Sequence, residues 1–241
     1  MITKFHGAFS AIKMAMISVV IPTLNAARTL PAALAALAPG LDSGLIEKVL
    51  VSDGGSTDGT PELARTLDTE VLTGPRGRGG QLQRGAIAAR GEWLFFLHCD
   101  TVLDPEWLFA AEEFVANRDN GRRAAAFRFA LDDDHPRARR LERMVAWRCD
   151  KLGLPYGDQG LLLSRLLYRQ VGGFRDLPLM EDVDLVRRIG RKRLTILPIA
   201  ARTAATRYQQ GGYWRRPARN LFCLALYYLG IPPKQIARVY R

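Results

Sequence analysis

The sequence predicts an α/β fold with a mostly parallel, Rossmann-like central sheet and helices on both faces, and three observations carry that prediction. Short runs rich in β-branched and aromatic residues recur at 17–24 (ISVVIPTL), 48–52 (KVLVS) and 93–97 (WLFFL). Between them lie alanine- and leucine-rich or amphipathic stretches of helical length. A chain of 241 residues with 48% hydrophobic content is long enough to bury one full core.

Each element follows in order. The apolar run 17–24 reads as a buried parallel strand, and 26–38 as the helix after it. A second strand at 48–52 breaks at Asp53-Gly54-Gly55-Ser56 before a helix over 60–67. A short strand at 70–72, a helix at 79–90 and a strand at 93–97 complete three successive βα units. The second half is less regular, with a strand near 124–131, helices near 136–152 and 181–190, a strand at 193–199 and a helical region from about 216. Residues 1–15 precede the first regular element and read as a disordered extension. They lack the continuous apolar core and small-residue cleavage site of a signal peptide. No run of eighteen or more apolar residues is present.

Lys and Arg number 35 against 24 Asp and Glu, a formal charge of +11 with a pI of about 10.1. Such a field attracts anions, and nucleic acid, acidic lipid and phosphorylated small molecules all satisfy it. The chain carries no recognisable nucleic-acid-binding module, so the expectation is no nucleic-acid partner. Cys99, Cys149 and Cys223 are widely spaced with no C-x-x-C pair, which fits a reducing, cytoplasmic compartment.

Polar residues concentrate directly after three predicted strands, at Pro22-Thr23-Leu24-Asn25, at 53–58 (DGGSTD) and at His98-Cys99-Asp100-Thr101. In a parallel sheet these loops share one edge, where ligands bind. Asp53 is suited to accept from a base N–H or a ribose hydroxyl, and Gly54 lets a ligand approach the backbone. The same string also serves as a turn and helix cap. The loop Arg76-Gly77-Arg78-Gly79-Gly80-Gln81 opens a helix and presents guanidinium and backbone N–H donors to phosphate. It lacks the G-x-G-x-x-G spacing, because Leu82 stands at the last glycine position, and no G-x-x-x-x-G-K-[ST] loop occurs.

In order and spacing, ISVVIPTLNAARTL, VLVSDGGSTDGT, ARGEWLFFLHCDT, QVGGF and MEDVDLVRRI resemble family-2 glycosyltransferases of the GT-A fold, over about residues 16–200. The subgroup with H-x-D-T in place of D-x-D, sometimes associated with arsenosugar biosynthesis, is the nearest in pattern. The ending LGIPPKQIARVYR extends the likeness. The resemblance implies a nucleotide-binding half at about 16–101, an acceptor half at about 102–210 and a helical region at 211–241 packed on the domain. It implies that Pro22, Thr23 and Asn25 line the nucleotide pocket, that Asp53 recognises the base, and that Asp100 holds a divalent cation on the diphosphate. A hard carboxylate suits Mg²⁺ or Mn²⁺. His98 replaces the first aspartate of D-x-D, where imidazole is able to ligate metal, bond the ribose or pack.

The resemblance further implies that Asp182 is the general base of an inverting transfer from a UDP- or GDP-sugar to a hydroxyl acceptor, with Glu181 as second candidate. The carboxylates of 181–184 also favour a helix N-terminus by electrostatics alone. Asp184 lies about 200° around the helix from Asp182 and reads as structural. Asp158, Gln159 and Gly160 match stretches on the acceptor side. Asp53, Asp100 and Asp182 are therefore expected around one cavity. The alternatives are a catalytically silent nucleotide-binding relative and, on charge alone, a basic nucleic-acid-binding protein. Tyr213-Trp214-Arg215-Arg216 and the apolar stretch 221–229 suit a packing helix, a homodimer contact or a peripheral site on the inner membrane face.

Overall fold

The computed structural model describes residues 16–205, 213 and 215–240. The extension expected over 1–15 lies outside the described residues, as do 206–212 and Trp214 at the junction with the C-terminal region. β1 (Ile17–Thr23), α1 (Leu30–Asp42), β2 (Ile46–Asp53), α2 (Thr60–Thr66), β3 (Glu70–Thr73), α3 (Arg78–Ala88) and β4 (Trp93–Phe96) come in the predicted order. They are followed by β5 (Thr101–Leu103), α4 (Trp107–Ala116), β6 (Ala124–Leu131), α5 (Pro136–Leu152), β7 (Leu161–Ser164), α6 (Arg165–Gln170), α7 (Glu181–Ile189) and β8 (Leu194–Thr203). Two helices, α8 (Arg215–Tyr228) and α9 (Pro233–Tyr240), come last.

The strands form one mixed sheet in the order β3-β2-β1-β4-β7-β6-β8-β5. Its first four strands are parallel, as the three βα units require. β7 enters antiparallel between β4 and β6, and β6 pairs parallel with β8. All seven residues of β1 are buried, because β2 and β4 flank it and helices cover both faces. The pleat sorts them: Ile17, Val19 and Ile21 join Leu30, Leu37 and Trp107 on one face, while Val20 meets Leu82 and Ala86 of α3 on the other.

α1 begins at Leu30, four residues later than the composition suggests. The backbone N–H groups of Asn25, Ala26 and Ala27 donate to Ser56 Oγ, Thr60 Oγ1 and Asp58 Oδ2 at 2.8, 2.8 and 3.0 Å. Those bonds clasp the β1 exit to the β2 exit and hold the segment out of the helix. Four elements had no counterpart in the sequence reading, namely β5, α4, β7 and α6. At the far end, Cys223 and Leu224 of α8 and Ile236 of α9 pack with Leu154, Met180, Val183 and Val186. The last two helices therefore form a wall beside α7. Among the described residues no helix is long and apolar enough to cross a membrane.

Candidate active site

At the exit of β2 the Asp53 carboxylate is buried and fully occupied. Its Oδ2 accepts from the N–H groups of Gly55 and Ser56, both at 2.8 Å. Its Oδ1 accepts from Ser56 Oγ at 2.5 Å and Thr23 Oγ1 at 3.0 Å. These four donors use the lone-pair positions a carboxylate has. Burial alone would raise its pKa, but the bonds from Ser56, Gly55 and Thr23 outweigh it and hold Asp53 below the usual carboxylate range. Asn25, with φ of 52°, is likewise engaged: its Oδ1 accepts from Thr57 N at 2.9 Å. Pro22 is buried within β1.

Gln81 ties the neighbouring helix to this edge. Its Nε2 donates to the carbonyls of Thr23 and Ser52 at 2.7 and 2.8 Å, and the amide lies against Gly54. The glycine loop before it also has a packing reason. A Cβ on Gly79 would stand 2.3 Å from the Arg175 carbonyl, so the turn seats against the 175–177 segment. Arg76 is exposed, whereas Arg78 reaches inward and pairs with the buried carboxylate of Glu181. Burial works against charge on Arg78, yet Glu181 and then Asp182 outweigh it and raise its pKa further. Glu181, the second candidate base, is therefore committed to Arg78, 1% exposed and unable to meet an acceptor.

Arg78, His98, Asp100, Asp158 and Asp182 share one cleft of about 110 Å³, together with Tyr156, Gly157, Thr203, Asn220 and Tyr240. Asp53 is not among its lining residues. The structure thus brings Asp100 and Asp182 together and leaves Asp53 in the adjacent strand-exit loop, joined to the cleft through α3, which carries both Gln81 and Arg78. Asp182 is the second residue of α7, and its Oδ2 accepts from Gly157 N at 2.9 Å. Gly157 is required by the imidazole: a Cβ there would lie 2.4 Å from His98 Nε2. Gln159 faces away from the cleft. It is 1% exposed and its Nε2 donates to the Phe127 carbonyl at 2.9 Å. Gly160 sits against the Phe95 ring. Asp184 is bound by Arg188 and Arg175, on the structural side of the helix.

Asp158 differs from Asp53 in each respect. Its buried Oδ1 has no hydrogen-bond partner among the described residues. Burial pushes its pKa up to about 6, Arg148 opposes this, and Asp182 and Asp100 add to it. Three carboxylates thus share one cleft, with the Arg148 and Arg78 guanidinium groups opposing their charge.

Sequence reasoning missed Tyr156, Arg148, Asn220 and Tyr240. Arg148 stacks 3.5 Å above the Tyr156 ring and donates to the Leu154 carbonyl at 2.8 Å, which fixes the ring at the cleft wall. The string Tyr156-Gly157-Asp158 was the available signal for the tyrosine. Asn220 and Tyr240 arrive from α8 and α9 by long-range packing.

Comparison with known proteins gives a consistent family. The model described as glycosyl transferase family 2 matches residues 18–162, more than half of the chain. A PGL/p-HBAD biosynthesis glycosyltransferase of Mycobacterium bovis (strain BCG / Pasteur 1173P2) is 40% identical over 95 residues, covering 36% of this chain and 36% of that protein. The chain thus aligns with about a third of that relative's length. Glycosyltransferase AglD of Haloferax volcanii is 35% identical over 120 residues, covering 46% of this chain and 19% of AglD. Among solved structures, glucosyl-3-phosphoglycerate synthase from Mycobacterium tuberculosis in complex with Mn²⁺ and UDP-glucose superposes with a TM-score of 0.63 at 20% identity. That alignment covers 90% of this chain and 80% of the synthase, and it establishes the shared fold.

Proposed function

The chain belongs to glycosyl transferase family 2, and from that premise we propose that it transfers a sugar, with inversion, from a nucleoside-diphosphate sugar to a hydroxyl acceptor. The observation that carries this reading is the meeting of Asp100, Asp158 and Asp182 with Arg78 and His98 in one cleft beyond the carboxyl end of β4. UDP is the favoured nucleotide, in line with the UDP-glucose held by the structurally similar synthase.

The proton and electron balance assigns the roles. The acceptor oxygen attacks C1 of the donor sugar, and its proton passes to Asp182. The bond between C1 and the phosphate oxygen breaks, and that electron pair leaves with the nucleoside diphosphate. Arg78, locked in place by Glu181, donates to the departing oxyanion. Asp182 is held for its task by two backbone donors, Gly157 N–H on Oδ2 and Val183 N–H on Oδ1, and the carboxylate lines the cleft.

The residues present also fit a hard divalent cation, Mg²⁺ or Mn²⁺. The carboxylates of Asp100, Asp158 and Asp182 line one cleft and repel one another, which marks a place where positive charge is favoured. Asp100 is the proposed ligand, with His98 beside it. Among the described residues no three His, Cys, Asp or Glu side chains form a complete cage, so diphosphate oxygens would complete the shell, as is usual for Mg²⁺ sites. When bound, such an ion neutralises charge developing on the leaving diphosphate. Asp53 builds the nucleotide-side loop, in which Gly55 is exposed with open space beside its Cα and is the backbone position a base would approach.

A thermal-shift panel of UDP and GDP, with and without Mn²⁺ or Mg²⁺, tests the reading directly. The expected result is a rise in Tm with UDP that increases when metal is added. No shift with any nucleoside diphosphate would overturn it.

A further inference from the structure

Beside the cleft runs a second, larger cavity of about 730 Å³, between α5 and α8. We infer that it holds the apolar body of an amphiphilic acceptor, whose hydroxyl-bearing head crosses a polar neck to reach Asp182. This rests on the reading of the cleft as a transfer site.

Three observations support it. The groove is concave and mostly apolar, floored by the buried Phe129, Leu141 and Val145, with Arg140, Arg143 and Arg148 also lining it. Its walls carry side chains left open to solvent, including Met144 at 47%, Trp147 at 59% and Leu221 at 64% exposure. Its volume lies within the range of about 300–1,000 Å³ typical of organic-ligand sites. Second, groove and cleft are continuous. Tyr156, Asp158 and Asn220 line both. Third, two of those three residues carry buried oxygens, Asp158 Oδ1 and Asn220 Oδ1, with no hydrogen-bond partner among the described residues. Both are acceptors, so they call for a ligand that brings donors, as a polyhydroxylated or phenolic head does.

Other occupants fit less well. The apolar face of a second copy would fill the walls and leave the oxygens at the neck unmet. A flat membrane surface would cover the rim without reaching a floor of buried residues. An amphiphile satisfies floor, wall and neck together.

A series of monomeric n-alkyl β-D-glucosides from butyl to decyl, each below its micelle concentration, tests the proposal on the full chain. Binding is read by calorimetry, and each glucoside is offered as acceptor with UDP-glucose. Affinity is expected to rise about threefold to fourfold per added methylene until the groove is filled. Leu221→Glu and Met144→Glu should each weaken the decyl compound at least tenfold. Both positions are exposed, so circular dichroism and Tm should stay near the parent values.

Affinity independent of chain length, in protein that still binds UDP, overturns the proposal while the transfer reading stands. So does binding confined to vesicles, or a groove closed by self-association in sedimentation. Absence of UDP binding removes the transfer reading itself, and alkyl binding without it overturns the acceptor role.

Discussion

The β2 exit and the cleft below β4 are both edged by aspartates, and the two regions are completed to different degrees. Asp53 receives four donors from its own loop and its neighbour strand, and its pKa falls despite burial. Asp158 is half-buried with its buried Oδ1 unmet, and its pKa climbs to about 6. A carboxylate that folding satisfies shapes the chain around it. One that folding leaves wanting stores a demand that a bound molecule can meet. On this comparison Asp53 holds the strand-exit loop together, and the cleft is where the proposed transfer is placed.

The contrast can be broken most directly at the proposed base. Asp182→Asn should lower kcat by about 10²–10⁴ in single-turnover assays while leaving Tm nearly unchanged, because the side chain is only partly buried. Unaltered turnover would remove it from the mechanism.

On the scaffold side, Asp53→Ala should cost about 1–2 kcal/mol in urea titrations, because it removes the acceptor of the buried Thr23 hydroxyl, the half-buried Ser56 N–H and hydroxyl, and the Gly55 N–H. The sign with pH follows from a folded pKa below the unfolded one. The contribution of Asp53 is present above about pH 4 and is lost as pH falls through its lower folded value. The gap between parent and variant should narrow only in strong acid.

Asp158→Asn should show the reverse sign. Its folded pKa of about 6 exceeds the ordinary aspartate value of 3.8, so its favourable contribution is full below about pH 4 and is lost as pH rises through 6. In EDTA the variant should be more stable than the parent by about 1–2 kcal/mol at pH 8, with the difference vanishing near pH 4. If both aspartates gave the same sign, the distinction between scaffold and site would fail.

How much of this was legible in the sequence depends on the range of the interactions involved. β1, β2 and β4 announce themselves because each is a β-branched or aromatic run buried on two faces, and the polar residues after them fix the ligand edge. α4 carried a readable signal in Trp107, Ala111 and Phe114, which share one helical face. β7 did not. It is four residues long, and its place between β4 and β6 comes from pairing across the sheet rather than from its own pattern. The same holds at the site. Asp100 and Asp182 stand out by motif, whereas Asn220 and Tyr240 reach the cleft only because α8 and α9 pack on α7. Neither the internal saturation of Asp53 nor the pairing of Glu181 with Arg78 could be seen without coordinates, because each depends on where neighbouring side chains point.

The His98 imidazole occupies the space a Cβ at Gly157 would need, which makes these two positions dependent on one another. Gly157→Ala alone should be harmful, since the added methyl would fall on the imidazole. In a His98→Asp background the shorter side chain vacates that space, and the same alanine should be tolerated. A double-mutant cycle on stability would register this as a favourable interaction of about 1 kcal/mol. Descendants of this chain that exchange the histidine for aspartate would thereby gain freedom at a glycine fifty-nine positions away.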